Sequence, residues 1–370
     1  MPIIDSDAHV IENEHTWDFM EGDDKRYRPV LLKNPDGDSA RRGFWFIDRK
    51  VRGFGLPGAS DEELAARSAQ LRRVIHTPIA ARELEDVGTR LRHMDELGID
   101  IEVCHATLFI EDVAEDPRAE AAICRGWNRW MANAWKQGDG RIRWTCVLPT
   151  LTMSEALDEL KWCAQNGACG IFMRPMEGNR ILTDHYFDPL YDEASRLDIP
   201  PLVHIANSHL PTLDLLSNNP GGGFWRFRLP SVGAFQGLAA SGRMQQFPKL
   251  RFGFVEAGSM WLPMVLRDLG RRAAGRGREM ETNVLKDNRL YVACQMDDDI
   301  PYVLSYGTED NILIGTDYGH TDQSSELYAI ANLKTESGIT EAQWRKIVDD
   351  NPRELFGETL VAQLKTLVAA

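Results

Sequence analysis

The sequence predicts an α/β fold, a (β/α)8 TIM barrel with two long inserted loops over its C-terminal face. Three observations predict it. Eight short apolar runs rich in β-branched or aromatic residues recur along the 370 residues, and segments with helical spacing separate most of them. The runs are apolar almost continuously rather than in alternation, which marks a parallel sheet covered on both faces.

Taken in order, the strands are expected at 3–10, 99–107, 142–149, 168–174, 200–205, 250–256, 290–295 and 312–317. Most run into Gly, Pro, Asn or Asp, the residues that stop a strand and start a turn. Helices are expected at 84–97, 117–137, 153–165, 189–197, 259–274, 300–306 and 325–333. Two stretches are too long to be simple connections. Residues 14–80 follow the first strand and hold an aromatic hairpin-like segment and a charged helical stretch; residues 207–248 follow the fifth and hold Gly221, Gly222 and Gly223 in a row. Both are read as lids, because loops that follow barrel strands collect over the catalytic face. Residues 340–367 read as closing helices, and 1–370 as a single domain. A barrel of roughly 250 residues plus two excursions and a tail accounts for the length that would otherwise suggest two or three domains.

Composition narrows the function classes. The net charge of −14 works against an extended phosphate-binding surface, so no nucleic-acid partner is expected. The mean hydropathy of −0.35 and the lack of a long apolar run predict no membrane span. Six cysteines without CxxC pairing, and a strand-like beginning in place of a targeting segment, suggest a reduced, cytoplasmic setting. There is no Gly-x-Ser-x-Gly elbow, and the Gly221–Gly223 run has no following Lys-Ser/Thr.

In a barrel, polar residues at the C-terminal strand ends converge on one cavity. Period-two alternation places Asp5, Asp7 and His9 on one face of the first strand, while His204, Glu256 and Asp317 close the fifth, sixth and eighth. Singly, each reads more readily as a cap, an ion-pair partner or a hydrogen-bonded polar residue. Together, imidazole and carboxylate donors on rigid strands are what a divalent ion needs. Arg174, at the end of the fourth strand, offers a fork for a substrate carboxylate or else makes a salt bridge. His105, ending the second, is a candidate substrate or second-metal contact. Trp225, with Trp45, Phe224 and Phe227, could roof an apolar or aromatic substrate.

Four stretches carry a resemblance. They are Ile4-Asp5-Ser6-Asp7-Ala8-His9, Pro201-Leu202-Val203-His204, the run from Phe247 to Gly258 that contains Phe254-Val255-Glu256, and Ile314-Gly315-Thr316-Asp317-Tyr318-Gly319-His320. Over nearly its whole length the chain resembles the amidohydrolase superfamily, in the branch that includes aminocarboxymuconate-semialdehyde decarboxylase and the resorcylate-type decarboxylases. The resemblance implies that Asp7, His9, His204 and Asp317 hold a divalent metal, with Asp317 also handling a water proton, and that the protein is a homo-oligomer acting on a small molecule. Two departures matter. The first ligand is Asp7 where the family commonly has His; this harder donor favours Mn or Fe without excluding Zn. Glu256 stands where the family usually has a catalytic His, so it is either a general base or a ligand to a second ion. The expected reaction is metal-dependent hydrolysis of an amide, ester or thioester in a small apolar or aromatic substrate that carries a carboxylate. Nonoxidative decarboxylation of an aromatic or unsaturated acid is the alternative.

Overall fold

The computed structural model describes residues 1–32, 44–52, 60–216, 221–277, 283–357 and 360. Eight strands form one sheet in sequential order: β1 (Ile4–Val10), β2 (Ile101–Ala106), β3 (Ile142–Cys146), β4 (Ala168–Met173), β5 (Pro201–Val203), β6 (Phe252–Phe254), β7 (Leu290–Cys294) and β8 (Ile312–Ile314). Helices lie between them: α1 (Val87–Leu97), α2 (Pro117–Gln137), α3 (Met153–Gln165), α4 (Asp188–Leu197), α5 (Leu229–Ser241), α6 (Leu262–Ala274) and α7 (Ile300–Leu304), with α8 (Ala329–Glu336) after the last strand. This is the (β/α)8 barrel topology. Every residue of these eight strands is buried, as a parallel sheet covered on both faces requires.

By contact density the chain divides into two compact units, one of Met1–Ser6, Met173–Gly315 and Ala329–Ala370, the other of Asp7–Phe172 and Thr316–Tyr328. In the second, β2 pairs with β3 through Val103 opposite Arg143, and β3 with β4 across a register shift between Trp144 and Thr145. Asp116 caps α2 and Pro117 occupies its first turn, where a missing N–H costs nothing. The buried face of α2 sets Trp127 against Trp130 and against Trp144 of β3, with ring centroids 6.3 and 6.1 Å apart. The unit closes on itself where residues 7–9 run parallel to the segment after β8. Ala8 bridges Tyr318, the Asp317 N–H donates to the Asp7 carbonyl, and the His9 N–H donates to the Tyr318 carbonyl, both at 2.8 Å.

Beneath that crossing lies a fully buried guanidinium. Arg90 Nε donates to Glu102 Oε2 at 2.6 Å, its Nη1 donates to the His9 carbonyl at 3.2 Å, and the group stacks 3.5 Å from the Tyr318 ring centroid. Burial works against the Arg90 charge, but the Glu102 carboxylate more than offsets it and keeps the guanidinium charged.

In the other unit β5, β6 and β7 pair in parallel, with Leu202 opposite Gly253 and Gly253 opposite Tyr291. Only glycine fits at 253, since a Cβ there would lie 2.4 Å from Leu202 Cδ1. The stretch 207–248 is largely helical. Within it, α5 supplies the fifth βα unit with a helix that the sequence reading did not foresee, setting Phe235 5.3 Å from the Phe254 ring of β6. Positions 217–220 lie outside the described residues.

The stretch 14–80 holds two short 3-10 helices, a helix at Asp61–Leu71 and an antiparallel sheet of Val30–Leu32, Phe44–Ile47 and Lys50–Arg52. Asp48 and Arg49, at φ 45 and 62, turn the hairpin the way two-residue hairpin loops require. Residue 43, where the hairpin was expected to begin, lies outside the described residues, as do 361–367 of the expected closing helices. No described helix is long and apolar enough to cross a membrane.

Removing one partner of a buried ion pair strands the other. Arg90→Met is therefore expected to cost about 3–5 kcal/mol in urea unfolding, against under about 1 kcal/mol for breaking the exposed Lys161–Asp158 pair. Equal losses at the two sites would refute the buried strut.

Candidate metal centre

Each unit presents its own set of donors on its strands or just beyond them. Strands β3, β5, β6 and β8 stop short of the ends that the sequence suggests by two or three residues, and after two of them the backbone turns left-handed. β6 ends at Phe254 and β8 at Ile314, after which Glu256 and Asp317 take φ values of 61 and 53. Non-glycine residues seldom adopt the left-handed region, and such strain concentrates at functional sites.

In the unit that contains β2 to β4, Asp7, His9, His105, Asp317 and His320 come together, all buried. His9 Nε2 lies 3.7 Å from Asp7 Oδ1 and 3.6 Å from Asp317 Oδ1, while His105 Nε2 lies 3.8 Å from Asp7 Oδ1. These gaps are too long for good hydrogen bonds. They suit two atoms bound to one ion, because ligands about 2.1 Å from a metal stand roughly 3.4 Å apart in a tetrahedron. The ligand atoms of His9, Asp317 and His320 all fall within 4.8 Å of one another. The residues present therefore fit a divalent ion, and the mixed imidazole and carboxylate donors admit Zn, Mn or Fe.

Asp317 is held from both sides. Its Oδ2 accepts the Ser325 hydroxyl at 2.8 Å, and Oδ1 lies 2.8 Å from His320 Nδ1. The His320 ring stacks on His9 with centroids 3.7 Å apart. His105 Nδ1 meets the Thr145 hydroxyl at 2.9 Å.

Three residues that the sequence reading did not single out complete this network. Thr107 Oγ1 contacts His9 Nδ1 at 3.3 Å, His320 Nε2 at 2.9 Å and the Val10 carbonyl at 2.9 Å. Glu12 accepts from Thr107 N at 3.1 Å, Leu108 N at 3.0 Å and Trp127 Nε1 at 2.8 Å. Ser325 is the third. The one signal for Thr107 was its period-two spacing from His105; Glu12 and Ser325 gave none.

In the other unit, His204 Nε2 lies 3.0 Å from Glu256 Oε2, and His204 Nδ1 lies 3.3 Å from the Ile205 carbonyl. Gln295 Nε2 donates to the Glu256 carbonyl at 3.0 Å and helps hold the strained residue. Arg174 is engaged by Glu177, with Nε and Nη2 donating to Oε2 at 3.0 and 2.5 Å; Glu177 ends the first strand of a short hairpin. Trp225 is half exposed and packs edge-on against Phe224. All six cysteines are buried and unpaired in disulfides; burial pushes the Cys169 thiol up to about 11, which makes it a packing group rather than a nucleophile.

A (β/α)8 fold with buried His and Asp side chains on and just after its strands is an architecture of enzymes. The chain belongs to the amidohydrolase family, which matches residues 4–357. No curated protein matches it. Its fold is similar to that of amidohydrolase map2389c from Mycobacterium avium subsp. paratuberculosis K-10, at TM-score 0.75 and 20% identity over 96% of this chain and 99% of that one. It is also similar to 2,6-dihydroxybenzoate decarboxylase from Rhizobium, at TM-score 0.64 and 19% identity over 96% and 98%. A third similar structure is 5-carboxyvanillate decarboxylase from Novosphingobium aromaticivorans DSM 12444, complexed with manganese and 4-hydroxy-3-methoxy-5-nitrobenzoic acid, at TM-score 0.66 and 17% identity over 96% of each chain.

Glu12 gives the site a pH signature. Burial pushes its carboxyl up to about 7 from 4.5, against the pull of Trp127 and two main-chain N–H groups. A pKa raised by folding means that the protonated form favours the native state. That stabilisation is complete below about pH 4.5 and is lost as the pH rises through about 7. Thermal unfolding of the metal-free protein should therefore show Tm falling across this window relative to Glu12→Gln; parallel profiles would mean that Glu12 is ionised throughout.

Proposed function

We propose that the protein is a metal-dependent hydrolase that cleaves an acyl bond, whether amide, ester or thioester, in a small apolar or aromatic substrate. The proposed ligands are Asp7 and His9 on β1, His204 immediately after β5 and Asp317 after β8. A divalent ion in that position supplies a Lewis acid that acidifies water and polarises a carbonyl.

The observation that carries the reading is the setting of Asp317. Ser325 fixes one carboxylate oxygen, and the other lies 2.8 Å from His320 Nδ1 and 3.6 Å from His9 Nε2. A carboxylate so placed would take a proton from water and pass it to the leaving group, the transfer that hydrolysis demands. Glu256 provides a second base, or a ligand to a second ion; its carboxylate lies against His204. With Arg174 engaged by Glu177, any carboxylate on the substrate is bound less tightly than a free fork would bind it.

Decarboxylation of an aromatic acid is the second reading, favoured by the Rhizobium and Novosphingobium structures, both aromatic-acid decarboxylases by name. Isotopes separate the two. When the metal-loaded protein is offered aryl esters, aryl amides and hydroxybenzoates in 18O-water, hydrolysis labels the carboxylate product, whereas carbon dioxide release from a hydroxybenzoate without label in the aromatic product would replace hydrolysis with the lyase reaction. In whichever assay responds, Asp317→Asn is expected to lower kcat by about 10²- to 10⁴-fold with the thermal unfolding profile kept. A near-normal kcat in that variant would remove Asp317 from proton transfer.

A further inference from the structure

We propose that Thr107 is the positioning residue that sets the tautomer of His9 and so turns its Nε2 lone pair toward the metal site; this rests on the metal-binding reading above. The argument is a count of protons. A threonine hydroxyl has one proton to give and two lone pairs with which to accept. The Val10 carbonyl, 2.9 Å away, can only accept, so the hydroxyl proton points there. Toward the two imidazoles the hydroxyl must then accept, and each must donate to it, His9 through Nδ1–H at 3.3 Å and His320 through Nε2–H at 2.9 Å.

A neutral His9 protonated on Nδ1 carries its lone pair on Nε2. That is the atom that stands 3.7 Å from Asp7 Oδ1 and 3.6 Å from Asp317 Oδ1. The nitrogen that faces the carboxylates is thus the one able to bind a cation, and the hydroxyl makes that choice before any cation arrives. In metal sites the outer hydrogen bond of a ligating His fixes its tautomer and ring orientation. Here one hydroxyl serves two stacked rings, so it holds His320 in the orientation that meets Asp317 at the same time.

Thr107 is itself locked. It is buried, and its N–H is tied to Glu12, which also accepts from Leu108 N and Trp127 Nε1. The turn after β2 cannot shift without breaking that three-donor clasp. Thr107 contributes no ligand; it acts through His9 and His320.

The test uses Thr107→Val, which keeps the shape and removes the hydroxyl, and Thr107→Ser, which restores it. Imidazole 15N chemical shifts of the metal-free protein report which nitrogen of His9 is protonated. The wild type and Thr107→Ser should show Nδ1–H, whereas Thr107→Val should show a mixture or Nε2–H. Titration with Zn or Mn alone should show affinity about 10–100-fold weaker in Thr107→Val and close to wild type in Thr107→Ser. An unchanged His9 tautomer in Thr107→Val overturns the proposal even if the metal binds. A changed tautomer in a protein that binds neither ion upholds the role of Thr107 and overturns the metal reading instead. Equal losses of affinity in Val and Ser variants would assign the effect to packing and reject the hydroxyl.

Discussion

The site depends on one short parallel crossing. Two main-chain hydrogen bonds, from Asp317 N–H to the Asp7 carbonyl and from His9 N–H to the Tyr318 carbonyl, join the first strand to the segment after the last. They fix the separation of Asp7, His9 and Asp317 through the backbone, before side-chain preference enters. Two carboxylates and an imidazole are thereby held at the spacing of a coordination polyhedron by bonds that none of the three side chains makes. Loop insertions elsewhere can change without disturbing this spacing, which is how one barrel scaffold serves many substrates.

What lies under the crossing makes it stiff. Arg90 binds the His9 carbonyl from below and stacks on Tyr318, so the same guanidinium touches both sides of the seam. Its charge is matched by Glu102 on the neighbouring strand. Glu12 performs the same service on the flank, gathering the N–H groups of the turn after β2 and the indole of α2 onto one carboxylate. Buried polar groups of this kind contribute little net stability when paired, but they penalise every alternative arrangement heavily. Their contribution is therefore geometric: they leave the histidines few rotamers.

The barrel was legible because its signals are local. Each strand is a run of apolar residues bounded by turn formers, and all eight expected runs contain an observed strand. The limits of three strands were less legible, since 200–205, 250–256 and 312–317 shorten to three residues each. After the last two the backbone flips at Glu256 and Asp317, which apolar periodicity does not encode. The donors themselves stood out as polar residues where core residues were due. Thr107 and Glu12 did not, because a threonine at a strand end or a glutamate in a loop is unremarkable until the fold brings it against a residue about a hundred positions away. Ser325 and Arg174 illustrate the converse: their partners Asp317 and Glu177 are only eight and three residues away, yet each pairing depends on a local chain path that no pattern announces.

The left-handed backbone at Glu256 also bears on how this chain can diverge. A glutamate is strained at φ 61, whereas glycine or asparagine occupies that region with far less strain. Folding stability alone therefore favours glycine or asparagine at position 256, and the glutamate is kept there against a local conformational cost. The Gln295 amide, donating to the Glu256 carbonyl, offsets part of that cost, so positions 256 and 295 are expected to tolerate substitution jointly rather than one at a time.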